Sequence, residues 1–295
     1  MSRILLNNNF KLLKVRTLGQ ESVVDRMCYD ELHSNIEVAD FKKKIVSAIL
    51  ANELYKSHNS GLLIPTSSRF YSNGRSMSEK PDFADVHQHL ELKLRIKEFE
   101  CEERHLKMGA IRFKLLNVIP YQIMVFIEIE PGTVLLMARM LPKLYQVATD
   151  FLVNDIGSLI SPLELSDDFL KNTLNSTIEE LGSSLVGELE LAFANIKTTN
   201  NALNQIIINV PAIDVDKFPK TDFTTSLFKY LRKSTALDFE QLRLTKIRCN
   251  LYLFLSEGRL RFTNELSFAP FFDESDPRPS LWPFVLSICD LCISK

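Results

Sequence analysis

"YQIMVFIEIEPGTVLLMARML", residues 121–141, holds two apolar runs joined by Pro131-Gly132. Pro-Gly marks a tight turn, and β-branched and aromatic runs on either side of it form the arms of an antiparallel hairpin. The second arm, "TVLLMARML", is apolar on both faces, which predicts a central strand. Upstream, Leu90, Leu92, Leu94 and Ile96 alternate with Glu91, Lys93 and Arg95, so this strand has one apolar and one wet face. The phase breaks at Lys97-Glu98, which predicts a bulge or a strand end there. Ile111, Phe113 and Leu115 alternate again after the charged turn 102–109 and supply an antiparallel partner.

Helices flank this sheet. Residues 38–55, "VADFKKKIVSAILANELY", place Val38, Phe41, Ile45 and Ile49 on one helical face. Gly61 ends that turn, "LLIPTSS" forms a short strand, and the polar stretch 67–82 forms a surface loop. Ser161-Pro162-Leu163-Glu164 has the pattern of a capping box with proline at the first helical position. Behind it, Leu170, Leu174, Ile178, Leu181, Leu185 and Leu189 recur three and four apart and make a bundle-like seam. Gly182 and Gly187 weaken that helix by roughly 1 kcal/mol each. Further helices are expected over 199–209, from Thr221 or Asp222 onward, and over 237–255. The tail carries Trp282; its apolar end is expected to fold back on the body, the alternative being to dock on a partner. No internal repeat is present.

The composition is that of a soluble globular chain: 295 residues, 45% hydrophobic and 24% charged. Net charge −2 without a strongly basic block points to no nucleic-acid partner, and no apolar run is long enough to span a membrane. Cysteines 28, 101, 249, 289 and 292 are odd in number and scattered, which predicts reduced thiols. The first sixteen residues lack acids, as a mitochondrial leader would, but "FKLLKV" also has the pattern of a strand.

His87 and His89 form the one pattern suggestive of metal. A catalytic zinc needs about three protein ligands, an open position and a general base. Leu90 stands where the H-x-H-P pattern of tag-removing metalloproteases has proline. No serine or aspartate occurs between His89 and Thr149 to complete the set. Neither that pair nor Cys289-x-x-Cys292 makes a site, so the expectation is no catalytic residue, no metal and no cofactor.

"PDFADVHQH" (81–89) and "ALNQIIINVPAIDVDKFPKTDF" (202–223) resemble segments of the sixth subunit of the COP-nine signalosome, with Pro219 as an insertion. The resemblance spans about residues 30–260. It implies an α+β fold, an N-terminally truncated MPN-like α/β/α sandwich over 1–160. Helices of a C-terminal bundle would follow over 161–262, then a tail over 263–295. It further implies a non-catalytic scaffold, present in cytoplasm and nucleus, of the complex that removes Nedd8 from cullins. Its partners would be the catalytic JAMM-type MPN subunit and PCI-domain subunits. The partner-binding residues would be Leu170, Leu174, Ile178, Leu181, Leu185 and Leu189, together with Asp216, Lys217, Phe218, Lys220, Thr221, Asp222 and Phe223. The same leucine pattern equally suits packing inside the chain's own second domain. The alternatives are an MPN subunit of the proteasome lid or of a translation-initiation factor, and a divergent zinc isopeptidase.

Overall fold

The computed structural model describes residues 2–17, 22–28, 36–50, 90–101, 104–115, 119–194, 204–269 and 276–293. Two compact units result. A middle unit holds Leu13–Ser161; a terminal unit joins Met1–Leu12 to Pro162–Lys295. After the one-turn helix α1 (Ser2–Leu5), strand β1 (Phe10–Thr17) begins in the terminal unit and ends in the middle one.

In the middle unit, β2 (Leu90–Cys101), β3 (Arg104–Leu115), β4 (Ile119–Glu130) and β5 (Thr133–Arg139) form an antiparallel meander, with β1 beside β5. The expected hairpin turns at Pro131-Gly132, where Gly132 takes φ 82°. Strand β5 lies between β4 and β1 with residues 133–138 all buried, which is why both of its faces are apolar. Helices α2 (Val23–Cys28), α3 (Ile36–Leu50) and α4 (Pro142–Asn154) close the core. The Phe41 ring joins the layers, 6.2 Å from Phe113 and 5.3 Å from Phe151. Lys97-Glu98 does not interrupt β2: its pairing with β3 runs unbroken to Cys101. Glu98 sits opposite Lys107, whose ammonium it meets at 3.2 Å, so the polar pair replaces an apolar one without moving the backbone.

The terminal unit departs further from expectation. Its strands run in the order β1, β11, β10, β9, β7, β8, with β7 (Leu189–Ala194), β8 (Ile206–Val210), β9 (Arg243–Arg248), β10 (Tyr252–Leu255) and β11 (Arg259–Phe262). Among the described residues of 161–262 no helical bundle forms, although the chain is α+β. The Ser161 capping box starts no helix: Ser158–Pro162 is strand β6, and the next amides are already engaged. Leu163 N–H donates to the Leu12 carbonyl at 3.2 Å and Leu165 N–H to that of Ser256 at 3.0 Å. Helix α5 (Asp167–Val186) starts five residues later, where Ser166 Oγ accepts from Phe169 N–H, a cap of about 1 kcal/mol. Gly182 (φ 74°, ψ 169°) then kinks α5, so the leucine seam stops being one face.

Two other expected helices are strands. The described part of 199–209 lies mostly in β8, and 237–255 holds β9 and β10. The register explains the second error. Lys246 pairs with Ala192 and Leu244 with Phe193, leaving Thr245 as an extra bulged residue. The bulge returns Leu244 to the face of Ile247, and that three-residue spacing imitates a helix. Helix α7 (Phe223–Thr235), after the one-turn α6 (Ala212–Val215), starts where expected; Asn175 Oδ1 of α5 accepts its Thr224 N–H at 3.0 Å. The helix 38–55 appears as α3, with residues 51–55 outside the described set. "LLIPTSS", the loop 67–82 and His87/His89 also lie outside it.

The tail folds back as helix α8 (Trp282–Ile293), burying Trp282, Phe284, Val285 and Cys289. Phe284 meets Tyr252 at 5.1 Å and Phe254 at 6.4 Å, and Trp282 Nε1 donates to the Phe268 carbonyl at 2.7 Å. Asp276 latches the approach to this helix. Its carboxylate accepts from Ser267 Oγ, Arg278 Nε and Arg278 Nη2, each at 2.7 Å, while Arg278 Nη1 holds the Asn264 carbonyl. The Arg278 guanidinium, with Ser267, holds the Asp276 carboxyl well below its ordinary value of 3.8.

Two stability tests follow. At Gly258 (φ 74°) a Cβ would stand 2.0 Å from the Leu163 carbonyl oxygen, whereas at Gly157, with the same φ, it would meet nothing. Gly258→Ala should therefore cost clearly more than the ~1 kcal/mol of left-handed strain expected for Gly157→Ala; equal costs in urea titrations would refute the close approach. A depressed carboxyl stabilises the fold above its ordinary range, and that contribution fades as pH falls below about 4 toward the folded value. Asp276→Asn should lower Tm at pH 7, and the gap to wild type should narrow on acidification.

Candidate nucleic-acid interface

Antiparallel register assigns every second residue of the terminal sheet to one face. The face toward the helices carries the row Phe10, Leu260, Phe254, Ile247, Leu191. All of these are at most 2% exposed. Helices α5, α7 and α8 cover it: Thr177 and Tyr252 share a buried hydroxyl bond of 3.1 Å, and Phe193 packs on Phe228 at 5.5 Å.

The opposite face is cationic. One cross-strand row reads Lys11, Arg259, Leu255, Lys246, Ala192; the next reads Arg261, Leu253, Arg248, Glu190, Asn209. Neighbouring strands stand ~4.8 Å apart, so Lys11 and Lys246 are separated by about 14 Å across the sheet. The guanidinium side chains of Arg248 and Arg259 are 65% and 61% exposed. Three carboxylates interrupt the field: Glu188, exposed just before β7, Glu257 and Glu190. Glu257 meets Arg259 Nε at 3.3 Å, and Glu190 accepts from Lys246 at 2.5 Å and from Arg248 at 3.3 Å. The Lys246 ammonium beside it, reinforced by Arg248, holds the Glu190 carboxyl below the usual carboxylate range. Positive charge remains in excess, five cations to three carboxylates, and a recess of about 730 Å³ opens beside these side chains, bordered by Arg248, Arg261 and Lys246 and by Glu188 and Glu190. Long cations around half-buried leucines suit a polyanionic backbone more than a small molecule.

The residues singled out from the sequence lie elsewhere. Leu170, Leu174 and Ile178 are buried on the inner side of α5, Leu181 is half-buried, Leu185 is exposed, and Leu189 is buried in β7. Asp216, Lys217, Phe218, Lys220, Thr221, Asp222 and Phe223 form the connection into α7. There Phe218 meets Phe223 at 5.6 Å and Tyr230 at 5.7 Å, and Phe223 is fully buried. Among the described residues no group of three His, Cys, Asp or Glu side chains could hold a metal, and no helix is long and apolar enough to cross a membrane. Cys101, Cys249, Cys289 and Cys292 are buried thiols outside any disulfide; burial pushes the Cys249 thiol up to about 11. The cationic face was missed because Arg243–Arg248 had the pattern of a helix. Taken as strands, "RLTKIR" and "RLRF" alternate basic and apolar residues.

Fold and face together define a mixed α+β protein whose distinctive surface is an open cationic sheet face. Residues 134–282, half of the chain, match the family model of centromere protein L (CENP-L), and the chain belongs to that family. No curated protein matches it. The match contains α5, β7–β11 and all the cations of the face except Lys11. It overturns the resemblance to the sixth signalosome subunit. With that go the scaffold role in cullin deneddylation, the JAMM-type and PCI-domain partners, and the proteasome-lid, initiation-factor and isopeptidase alternatives. The ground for an MPN-like sandwich goes with them. A centromere family belongs to the nucleus, the part of the expected localisation that stands.

Glu190→Gln should remove the carboxylate that holds Lys246 and Arg248 and cost about 1 kcal/mol or less at low salt. Denaturation at two ionic strengths checks this: the difference from wild type should shrink at high salt.

Proposed function

We propose that this chain works at the centromere as a non-enzymatic binding subunit whose cationic sheet face meets the phosphate backbone of DNA. One observation carries the reading: the two cross-strand rows that set Lys11, Arg259 and Lys246 beside Arg261 and Arg248 on an open face. Duplex DNA presents one negative charge per ~1.7 Å of axis, so a patch about 14 Å wide spans several phosphates. Neither row offers a nucleophile beside a base, and Glu190, the carboxylate within them, is held by two cations. Membership in a centromere protein family agrees with a chromosomal partner. Backbone contacts of this kind position a protein without reading sequence.

The test is fluorescence anisotropy of the full chain with duplex DNA at several salt concentrations. Wild type should bind unrelated duplexes alike. Arg248→Ala/Arg261→Ala should weaken binding at least tenfold and flatten the log–log salt dependence by about 2, since each lost phosphate contact removes ~0.9. Absence of binding at low salt, or an unchanged affinity in the double variant, would refute the reading.

A further inference from the structure

On the helix side of the terminal sheet, α5 and α8 border a groove of about 510 Å³. Its apolar lining includes Phe169 and Leu181 of α5 with Phe284 and Leu291 of α8. Two exposed carboxylates, Asp168 and Glu180, stand along it, and no lysine or arginine is among its lining residues. Neither acid has an ion-pair partner among the described residues. The one cation near the start of α5, Lys171, is turned away: it pairs with Asp167 and lies 5.6 Å from the Phe228 ring of α7. Helix α5 therefore has a neutralised side toward α7 and an unneutralised acidic side along the groove.

We propose that this groove receives a cationic amphipathic helix from a partner protein. The apolar side of that helix rests on Phe169, Leu181, Phe284 and Leu291, and its lysines or arginines meet Asp168 and Glu180. Twelve residues separate the two acids along α5, about 18 Å at 1.5 Å per residue, so the partner's cations stand about three turns apart. Apolar anchors at helical spacing in a groove between helices are a recurrent recognition mode, and charge placement selects among such helices. An acidic helix, or the polyanion proposed for the opposite face, would meet like charge here.

The experiment places a photo-crosslinking amino acid at Ser287, which lines the groove, in the tagged full-length chain in its native cells. Crosslinked peptides are then sequenced. The expected product is a segment of another protein with Lys or Arg three turns apart around apolar residues. Asp168→Lys/Glu180→Lys should cut its yield at least fivefold, while Glu179→Lys, outside the groove lining, should leave it unchanged. Asp168 lies in the first turn of α5, where a cation also opposes the helix dipole, so Glu180→Lys alone must lower the yield too. Crosslinks to this chain itself, to a second copy, to nucleic acid or to an acidic peptide would overturn the proposal. So would the absence of any crosslink, or a yield indifferent to Glu180.

Discussion

A single extra residue in β9 organises the terminal unit. Thr245 has no partner in β7, and its bulge lets Leu244 and Ile247 both face the helices while Lys246 and Arg248 face away. Without it, everything before Lys246 would change face, because side chains alternate along a strand. Leu244 would leave the core and Phe193 would lose its neighbour. Two hydrogen bonds hold the bulge: Thr245 Oγ1 donates to the Ala192 carbonyl at 3.0 Å, and the Thr245 carbonyl accepts from Ser256 N–H at 2.9 Å. The core and the cationic face are thus two consequences of one register.

That register also explains how a chain of net charge −2 presents a positive surface. Basic residues alternate with apolar ones in β9 and β11, so folding sorts them by side: Leu260 and Phe262 go in, Arg259 and Arg261 go out. Many of the acids that balance the total lie elsewhere, Asp168 and Glu180 among them, along the α5–α8 groove. A whole-chain charge says nothing about such a separation, because electrostatic recognition depends on local fields screened within ~10 Å.

The short stretch "DKFPKTDF" pointed to the wrong family for a physical reason. It is a helix entry: Pro219 and Asp222 precede α7, and Phe218 packs against both Phe223 and Tyr230. Turn residues and aromatic packing at a helix start recur wherever a chain must stop and re-enter a helix, whatever the protein does. Likeness over eight residues of that kind reflects a local task. The match over residues 134–282, which takes in two strands and a bulge that no local pattern announced, reflects a fold.

What the sequence by itself determined was local. The β4–β5 hairpin, the alternation of β2, the face of α3 and the start of α7 all rest on forces acting within a few residues: turn geometry, side-chain alternation and helical periodicity. Tertiary structure decided the rest. The 161–164 capping pattern lost to backbone donors already taken by Leu12 and Ser256, residues far along the chain. The leucine seam was cut by Gly182, and an apparent helix over 237–255 became two strands because a bulge mimicked helical spacing. The cationic face could be seen only after those strands were paired, since its members, from Lys11 to Arg261, are neighbours in register and not in sequence.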